Sequence, residues 1–476
     1  MARYITTTLP YVNADPHIGF AVEILQADVL ARVWRHNGEE VFFSTGTDEH
    51  GQKIFEAAQK QGQDVQEYVD HYVEEVKKLQ SALSLTNDAF IRTTDPKHIQ
   101  AAQEMWKRCL AKGDIYKKSY SGLYCVGCEA YKTERELEDG HCILHTSLTL
   151  ETIEEENYFF RFSGYTDKLL KYLNKQGTVV PQWRADEAIT FVTNGLEDFS
   201  ISREKHRLGW GIPVPDDDSQ VMYVWFDALT DYISTLGWPE DTGGNFKKFW
   251  QDGKTLQVAG KDQVRFQSLM WQAMLMSAEI KNTDQIFYHG FINSGGQRMS
   301  KSLGNVISPF ELVEKYGTEA TRYLLLRHVH PTEDTDITWE RLDEWHTANL
   351  VNGLGNLVAR VMKLAEEYLP ADVVHNVADV EETYTALLSE FKFNEALDVI
   401  WKHVSIGDEY MTTHEPYKKI KDEETKDNAI LDITNLVGHI ATLAHHLEPF
   451  MPETSKSILR AIKENKKPEN LFPRLP

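Results

Sequence analysis

Three short stretches carry residue types whose spacing could do chemistry. In "YCVGCEAYKTERELEDGHCILH", Cys125-x2-Cys128 is followed, thirteen residues on, by Cys142-x2-His145. Two close pairs joined by a charged loop suit a tetrahedral zinc knuckle with thiolate and imidazole ligands. Four protein ligands leave no open position, so the metal reads as structural. The bland alternative is a cluster of buried thiols in a reducing cell, and His141 rivals His145 as the fourth ligand. His145 is preferred because it repeats the spacing of the first pair. In "GQRMSKSLGN", residues 296–305, Arg298 and Lys301 stand three apart, with Ser300 and Ser302 beside Lys301 and glycines at both ends. Such a loop is suited to an anion; alternatively it is a solvated basic turn. In "PHIGF", His17 and Gly19 open a helix after a strand. Free N–H donors and the positive end of the helix dipole suit phosphate there. Alone, His17 reads more readily as a helix cap.

These stretches need a scaffold. "RYITTTL" and "EVFFSTGTDEHG" read as strands, and "FAVEILQADVLARVWRHNG" between them has helical periodicity. A helix over about 64–83 and a strand at "DAFIRTT" follow. Strand–helix–strand crossovers of this length make a parallel sheet whose ligands bind beyond the strands' carboxyl ends. The polar loops 9–19 and 45–53 lie at such ends. Around the cysteines, "YFFRF" and "AITFVT" read as short strands of an insertion. The pattern resumes with "KTLQVAG", a helix through "DQVRFQSLMWQAMLMSAE" and the strand "QIFYHGFI". From about Arg341 onward, amphipathic helices dominate. The expected fold is an α/β Rossmann-type doubly wound parallel sheet, split by a zinc-containing insertion and followed by an all-α helical bundle. Expected boundaries are 1–114 and 223–296 for the two sheet halves, 115–222 for the insertion, 297–340 for the cationic loop and the segment leading to the bundle, and 341–476 for the bundle. Cys109 falls in a helical stretch and reads as core.

Composition narrows the function. The chain has 476 residues, 41% apolar and 26% charged, with a net charge of −23. Such acidity argues against non-specific coating of nucleic acid, which needs many phosphates neutralised. It leaves room for a nucleic-acid partner held at selected places. No apolar run is long enough to span a membrane, and the N-terminus lacks a secretory pattern. A cytoplasmic protein is expected.

"HIG" after the first strand and "RMSKS" near the end of a split sheet resemble the two signatures of class I aminoacyl-tRNA synthetases. Within that class, "LPYVNADPHIG", "TGTDEHGQKI", the three-Cys-one-His knuckle, "YVWFDAL", "GKDQVRFQ" and "RMSKSLGNVISPFELVEKYG" resemble the methionyl family. The likeness runs through nearly the whole chain, in family order.

The resemblance implies activation of L-methionine with ATP, then transfer to the 3′ end of tRNA(Met). His17, Arg298 and Lys301 would act on the triphosphate by positioning and charge, with Gly19, Ser300 and Ser302 also at ATP. Mg2+ would accompany the nucleotide, and one Zn2+ would sit in the knuckle. Asp48 would hold the substrate ammonium. Leu9, Tyr11, Trp225, Ala228, Tyr232, Gln263 and Gln267 would line the side-chain pocket. Asn352, Asn356 and Arg360, spaced i, i+4, i+8, match the family's anticodon site, as does the segment with Pro416 and Tyr417, where the family usually has Trp in place of Tyr417; the acceptor end of tRNA would meet the catalytic half. Three positions depart from the pattern: Phe20 where a second His is usual, Gln267 where a His is usual, and Gln263 for an aliphatic residue. The chain stops after the bundle, without the extra domain of some relatives, which predicts a monomer. Two rivals stand beside this reading. One is a class I enzyme for Leu, Ile or Val, which needs a larger editing insertion. The other is a non-catalytic tRNA-binding paralogue.

Overall fold

The computed structural model describes residues 1–128, 130–132, 136–299, 304–370 and 382–475. These form two compact units. The first comprises residues 1–16, 34–78 and 86–289, the second 17–33, 79–85 and 290–476.

The first unit is built on six parallel strands: β1 (Ala2–Thr6), β2 (Glu40–Thr47), β3 (Ala89–Arg92), β4 (Val179–Val180), β5 (Lys254–Gly260) and β6 (Gln285–His289). Their order is β3-β2-β1-β5-β6-β4. Tyr4, Ile5, Phe43, Ile286 and Phe287 are fully buried, as expected for parallel strands covered on both faces. The polar loops after β1 and β2 leave the sheet at adjacent carboxyl ends. Beyond the strands, Tyr11 and Asp48 form a further parallel bridge, its register shifted by one residue.

Residues 115–200 interrupt this sheet with an antiparallel one, in which Ile115–Cys125 pairs with Glu151–Phe160. Two local expectations are corrected here. "AITFVT" is not a strand; it lies in the helix Gln182–Thr193. Its β-branched residues mislead, because Ala185, Ala188 and Val192 fall on one helical stripe and are buried. Further, Val179–Val180 leaves the insertion to become the edge strand of the main sheet. The helix Gln52–Gln61 was not anticipated. Cys109 is fully buried, as expected of a core residue.

The second unit holds the first part of the helix Ile18–His36, a small three-stranded sheet and the C-terminal helices. Leu350, Leu354, Leu357, Leu397, Ile433 and Ala441 form part of its apolar interior. At its centre Asp28 and Arg322, both fully buried, pair at 2.8 Å. Arg322 also donates to the carbonyls of Leu83, Pro449 and Phe450 at 2.7–3.0 Å. A buried guanidinium is stable only when its donors are met in this way. Among the described residues, no helix is long and apolar enough to cross a membrane.

Candidate functional site

In the first unit, the loop after β2 presents Asp48, Glu49 and His50, all at most 5% exposed. Glu49 is committed to Arg92 (2.7 Å) and to the hydroxyls of Thr47 and Thr94 (2.6 Å each). Its carbonyl accepts from Trp210 Nε1 at 2.6 Å. His50 is committed to Asp227, Nδ1 to Oδ2, at 2.7 Å. Asp48 is the acid placed beside Tyr11, through reciprocal backbone hydrogen bonds with the loop after β1.

Tyr11 in turn packs edge-on against Trp225, with ring centroids 6.3 Å apart. Trp225 stacks on Phe266 at 3.8 Å. Trp225, Ala228 and Tyr232 follow one another at i, i+3, i+7 along the stretch that holds the helices Val224–Ala228 and Asp231–Ser234. Phe266, which the sequence reading did not single out, lies in the quoted "GKDQVRFQ". Its signal was an aromatic next to Gln267. The helix expected there is present, but its first part, Arg265–Met270, is a π-helix. Such turns interrupt α-helices at functional sites often enough to note.

Gln267 is 2% exposed. Its Nε2 donates to the Tyr232 hydroxyl, and its Oε1 has no hydrogen-bond partner among the described residues. With the amide reversed, Tyr232 would donate and two N–H donors would be left to serve a ligand. Gln263 is half-buried, its amide 3.2 Å from Asp262. Leu9 is half-buried as well.

Asp227 is fully buried beneath these walls. Burial pushes its carboxyl up, but attraction to His50 and hydrogen bonds from His50 and His98 outweigh it and hold the group below the usual range. Asp231, one turn on, is driven well above that range by burial and by the charge of Asp227. The two carboxyls are thus driven apart, Asp227 toward the charged form and Asp231 toward the neutral one.

In the second unit, His17 stands at the N-terminus of the helix Ile18–His36. Its Nδ1 accepts from Gly19 N–H at 3.0 Å, which puts the imidazole proton of the neutral ring on Nε2. His17 is exposed. A Cβ on Gly19 would lie 2.7 Å from His17 Cε1, so glycine is needed here to seat the His17 ring. Phe20 is buried and belongs to the core.

Ile18 N–H donates to Ile307 O at 3.2 Å, tying this helix start to the segment behind the cationic loop. Gly295 and Gly296, both at positive φ, turn a hairpin whose strands are Ile292–Ser294 and Gln297–Arg298. Arg298 is exposed, with its guanidinium 4.4 Å above the Phe291 ring. Asn305 Nδ2 lies 3.3 Å from the carbonyls of both Ser294 and Arg298. Ser308 then caps the next helix: its Oγ accepts from Phe310 N–H, and its own N–H donates to the Glu311 carboxylate. Both ends of the loop are thus anchored. Ser300, Lys301 and Ser302 lie outside the described residues.

Cys125, Cys128, Cys142 and His145 converge, with donor atoms all within 4.8 Å of one another. Cys128 Sγ lies 3.5 Å from Cys142 Sγ and 3.2 Å from His145 Nδ1; Cys125 Sγ lies 3.8 Å from His145 Nδ1. Ligands around one tetrahedral zinc are about 3.5–3.8 Å apart. The two pairs also share a turn: Cys128 N–H donates to Cys125 O, and His145 N–H to Cys142 O. A Cβ on Gly127 would lie 2.5 Å from the His145 ring, so this residue must be glycine for His145 to close the set. The cluster can hold one metal ion.

Asn352 and Asn356 are exposed on the C-terminal helices. Arg360 is half-buried and paired with Asp408 at 3.2 Å. Residues His346–Gly355 form a π-helix that runs into the α-helix Asn356–Tyr368, a break that periodicity did not reveal. Pro416 is buried at the start of a short helix, where Tyr417 is 37% exposed.

Comparison with known proteins bears on these features. The family "tRNA synthetases class I (M)" matches residues 3–149 and 134–362, and "Anticodon binding domain of methionyl tRNA ligase" matches 359–473. The chain is 38% identical to the methionine–tRNA ligase of Thermotoga maritima, over 98% of this chain and 76% of that one. It is also 38% identical to the enzyme of Brucella suis, over 96% and 90%. The methionyl-tRNA synthetase of Mycobacterium tuberculosis in complex with methionyl-adenylate superposes with a TM-score of 0.88 at 35% identity, covering 99% of this chain and 98% of that one. Its apo form gives 0.82 at 32% identity, covering 100% and 98%. These matches agree with the parallel sheet and the helical C-terminal region, and the chain belongs to the methionine–tRNA ligases of the class I aminoacyl-tRNA synthetases.

Proposed function

We propose that this chain activates L-methionine with ATP to methionyl-adenylate and transfers the methionyl group to the 3′ end of tRNA(Met). The observation that carries the substrate reading is Tyr11. It pairs with buried Asp48 on one side and packs on Trp225 on the other. A carboxylate for an ammonium group and an aromatic wall for an apolar, polarisable side chain then share one neighbour.

In this reading Asp48 holds the ammonium, while Leu9, Tyr11, Trp225, Ala228, Tyr232 and Gln263 enclose the side chain. Gln267 offers its amide to the thioether sulfur. The substrate carboxylate attacks the α-phosphorus in line, and pyrophosphate leaves with the electron pair of the broken P–O bond. No side chain bonds covalently to the substrate. Rate comes from orientation and from charge placed where charge develops. His17 donates from Nε2–H to phosphate, Gly19 leaves the helix start open, and Arg298, Ser300, Lys301 and Ser302 neutralise the departing pyrophosphate. Mg2+ enters with ATP. The residues of the knuckle suit Zn2+, which would brace the insertion and take no part in the reaction. Residues 1–114 and 223–296 carry activation, 115–222 the knuckle, 297–340 the loop and contacts to the tRNA stem. Residues 341–476 read the anticodon through Asn352, Asn356, Arg360, Pro416 and Tyr417. We place the protein in the cytoplasm, as a monomer.

The test is ATP–pyrophosphate exchange with each amino acid in turn, then charging of tRNA(Met). Exchange dependent on methionine is expected. Exchange with leucine, isoleucine or valine in its place, or none at all, overturns the proposal.

A further inference from the structure

Asp227, His50, His98 and Ser234 form a buried polar chain that the proposed reaction does not use. Asp227 and His98 are fully buried, Ser234 is 4% exposed and His50 5%. Asp227 Oδ2 lies 2.7 Å from His50 Nδ1, and its Oδ1 lies 2.7 Å from His98 Nε2. His98 Nδ1 lies 2.9 Å from Ser234 Oγ. Three elements of the first unit meet here: the loop after β2, the helix Pro96–Ala111 and the stretch 224–234.

Asp, His and Ser in sequence invite comparison with a nucleophilic triad. Burial argues against it, since no substrate reaches a serine enclosed on all sides. The geometry of the stretch 224–234 points elsewhere. Trp225, Ala228 and Tyr232 lie on one helical face, at i, i+3, i+7. Asp227, Asp231 and Ser234 lie on the opposite face, at i, i+4, i+7. The first set faces the proposed substrate; the second is the attachment. The two helices here have five and four residues. Pieces this short do not hold their own register and depend on tertiary ties.

We infer that Asp227 and His98 are positioning residues for the amino-acid substrate. Asp227, through His50, ties the loop that carries Asp48 to the helix that carries Trp225 and Ala228. His98 spans Asp227 and Ser234 and so clamps that helix to the turn carrying Tyr232. The distance between the ammonium partner and the thioether wall is then set by one buried carboxylate. The inference rests on the methionine reading of the pocket.

The test compares Asp227→Asn with the unaltered chain in methionine-dependent pyrophosphate exchange, alongside tryptophan fluorescence on titration with methionine. Asn keeps the shape but can accept from only one of the two imidazoles. The KM for methionine should rise roughly tenfold or more, as expected for a lost hydrogen bond to a charged group. The KM for ATP should stay within about threefold, since the proposed ATP contacts do not include this network. Equal rises in both KM values, or no change in either, overturn the inference. If Asp227→Asn does not fold, Ser234→Ala decides on the same split, with an expected rise in methionine KM of about two- to fivefold for one neutral hydrogen bond. Methionine-dependent exchange in the unaltered chain with unmoved variants sinks only the positioning role. Its absence in the unaltered chain sinks the functional reading, and the inference with it.

Discussion

The backbone N–H of Ile18 donates to the carbonyl of Ile307 at 3.2 Å, across 289 residues of sequence. One hydrogen bond thus fixes the helix start that carries His17 against the segment where the cationic loop returns. His17 is itself oriented by Gly19 N–H.

This arrangement predicts that His17→Ala and Gly19→Ala act alike. The first removes the imidazole, and the second drives a methyl group into it. Both should lower kcat for pyrophosphate exchange about a hundredfold, the scale of one lost donor to developing charge. The KM for methionine should move little. Exchange assays at saturating ATP decide this, and a Gly19→Ala enzyme of ordinary kcat would refute the orientation argument.

The metal cluster predicts one Zn2+ per chain by elemental analysis. Chelation should expose Cys125, Cys128 and Cys142 to thiol reagents and open the segment 115–160 to protease. Cys109, fully buried, should stay unreactive until the chain unfolds.

Asp231 predicts a pH-dependent gain on substitution. Burial and the charge of Asp227 raise the pKa of its folded carboxyl well above the ordinary value, so the proton is held more tightly folded than unfolded. Unfolded, it ionises near pH 4, so it costs stability above that pH, by about 1.4 kcal/mol per pH unit until the folded group ionises too. Asp231→Asn should therefore match the unaltered chain near pH 4 and exceed it increasingly toward pH 7, in urea midpoints taken across that range. A gain that does not grow with pH would contradict the assignment of the charge to Asp227.

Arg360 predicts a split between the two half-reactions. Arg360→Ala should lower kcat/KM for tRNA charging by about ten- to a hundredfold, the worth of a contact that reads a base edge. Pyrophosphate exchange should be unaffected. Asp408 holds Arg360 at 3.2 Å, so Asp408→Asn should release the guanidinium and change charging in the opposite sense.

Much of this was legible because local patterns carried it. β-branched runs gave five of the six strands of the parallel sheet, and the spacing Cys125-x2-Cys128…Cys142-x2-His145 gave a cluster that closes in space. What escaped were features set by tertiary context. "AITFVT" has strand propensity but is helical, since its buried stripe has helical period. The π-helices at Arg265–Met270 and His346–Gly355 leave no mark on apolar periodicity. Phe266 looks like an ordinary core aromatic until its stack on Trp225 is seen. The His50–Asp227–His98 network joins three segments, and no spacing rule in one chain anticipates such a meeting.

Arg322 has a consequence for synthesis on the ribosome. Asp28 is made early with one partner, Arg32, four residues on at 2.7 Å; its second, Arg322, arrives almost 300 residues later, and that guanidinium also needs the carbonyls of Pro449 and Phe450. Until translation passes that point, the helix Ile18–His36 holds this acid through Arg32 alone. The buried guanidinium of Arg322 therefore meets its full set of partners only late in synthesis, and a nascent chain halted before Phe450 should leave the helix Ile18–His36 more open to protease than the finished chain does.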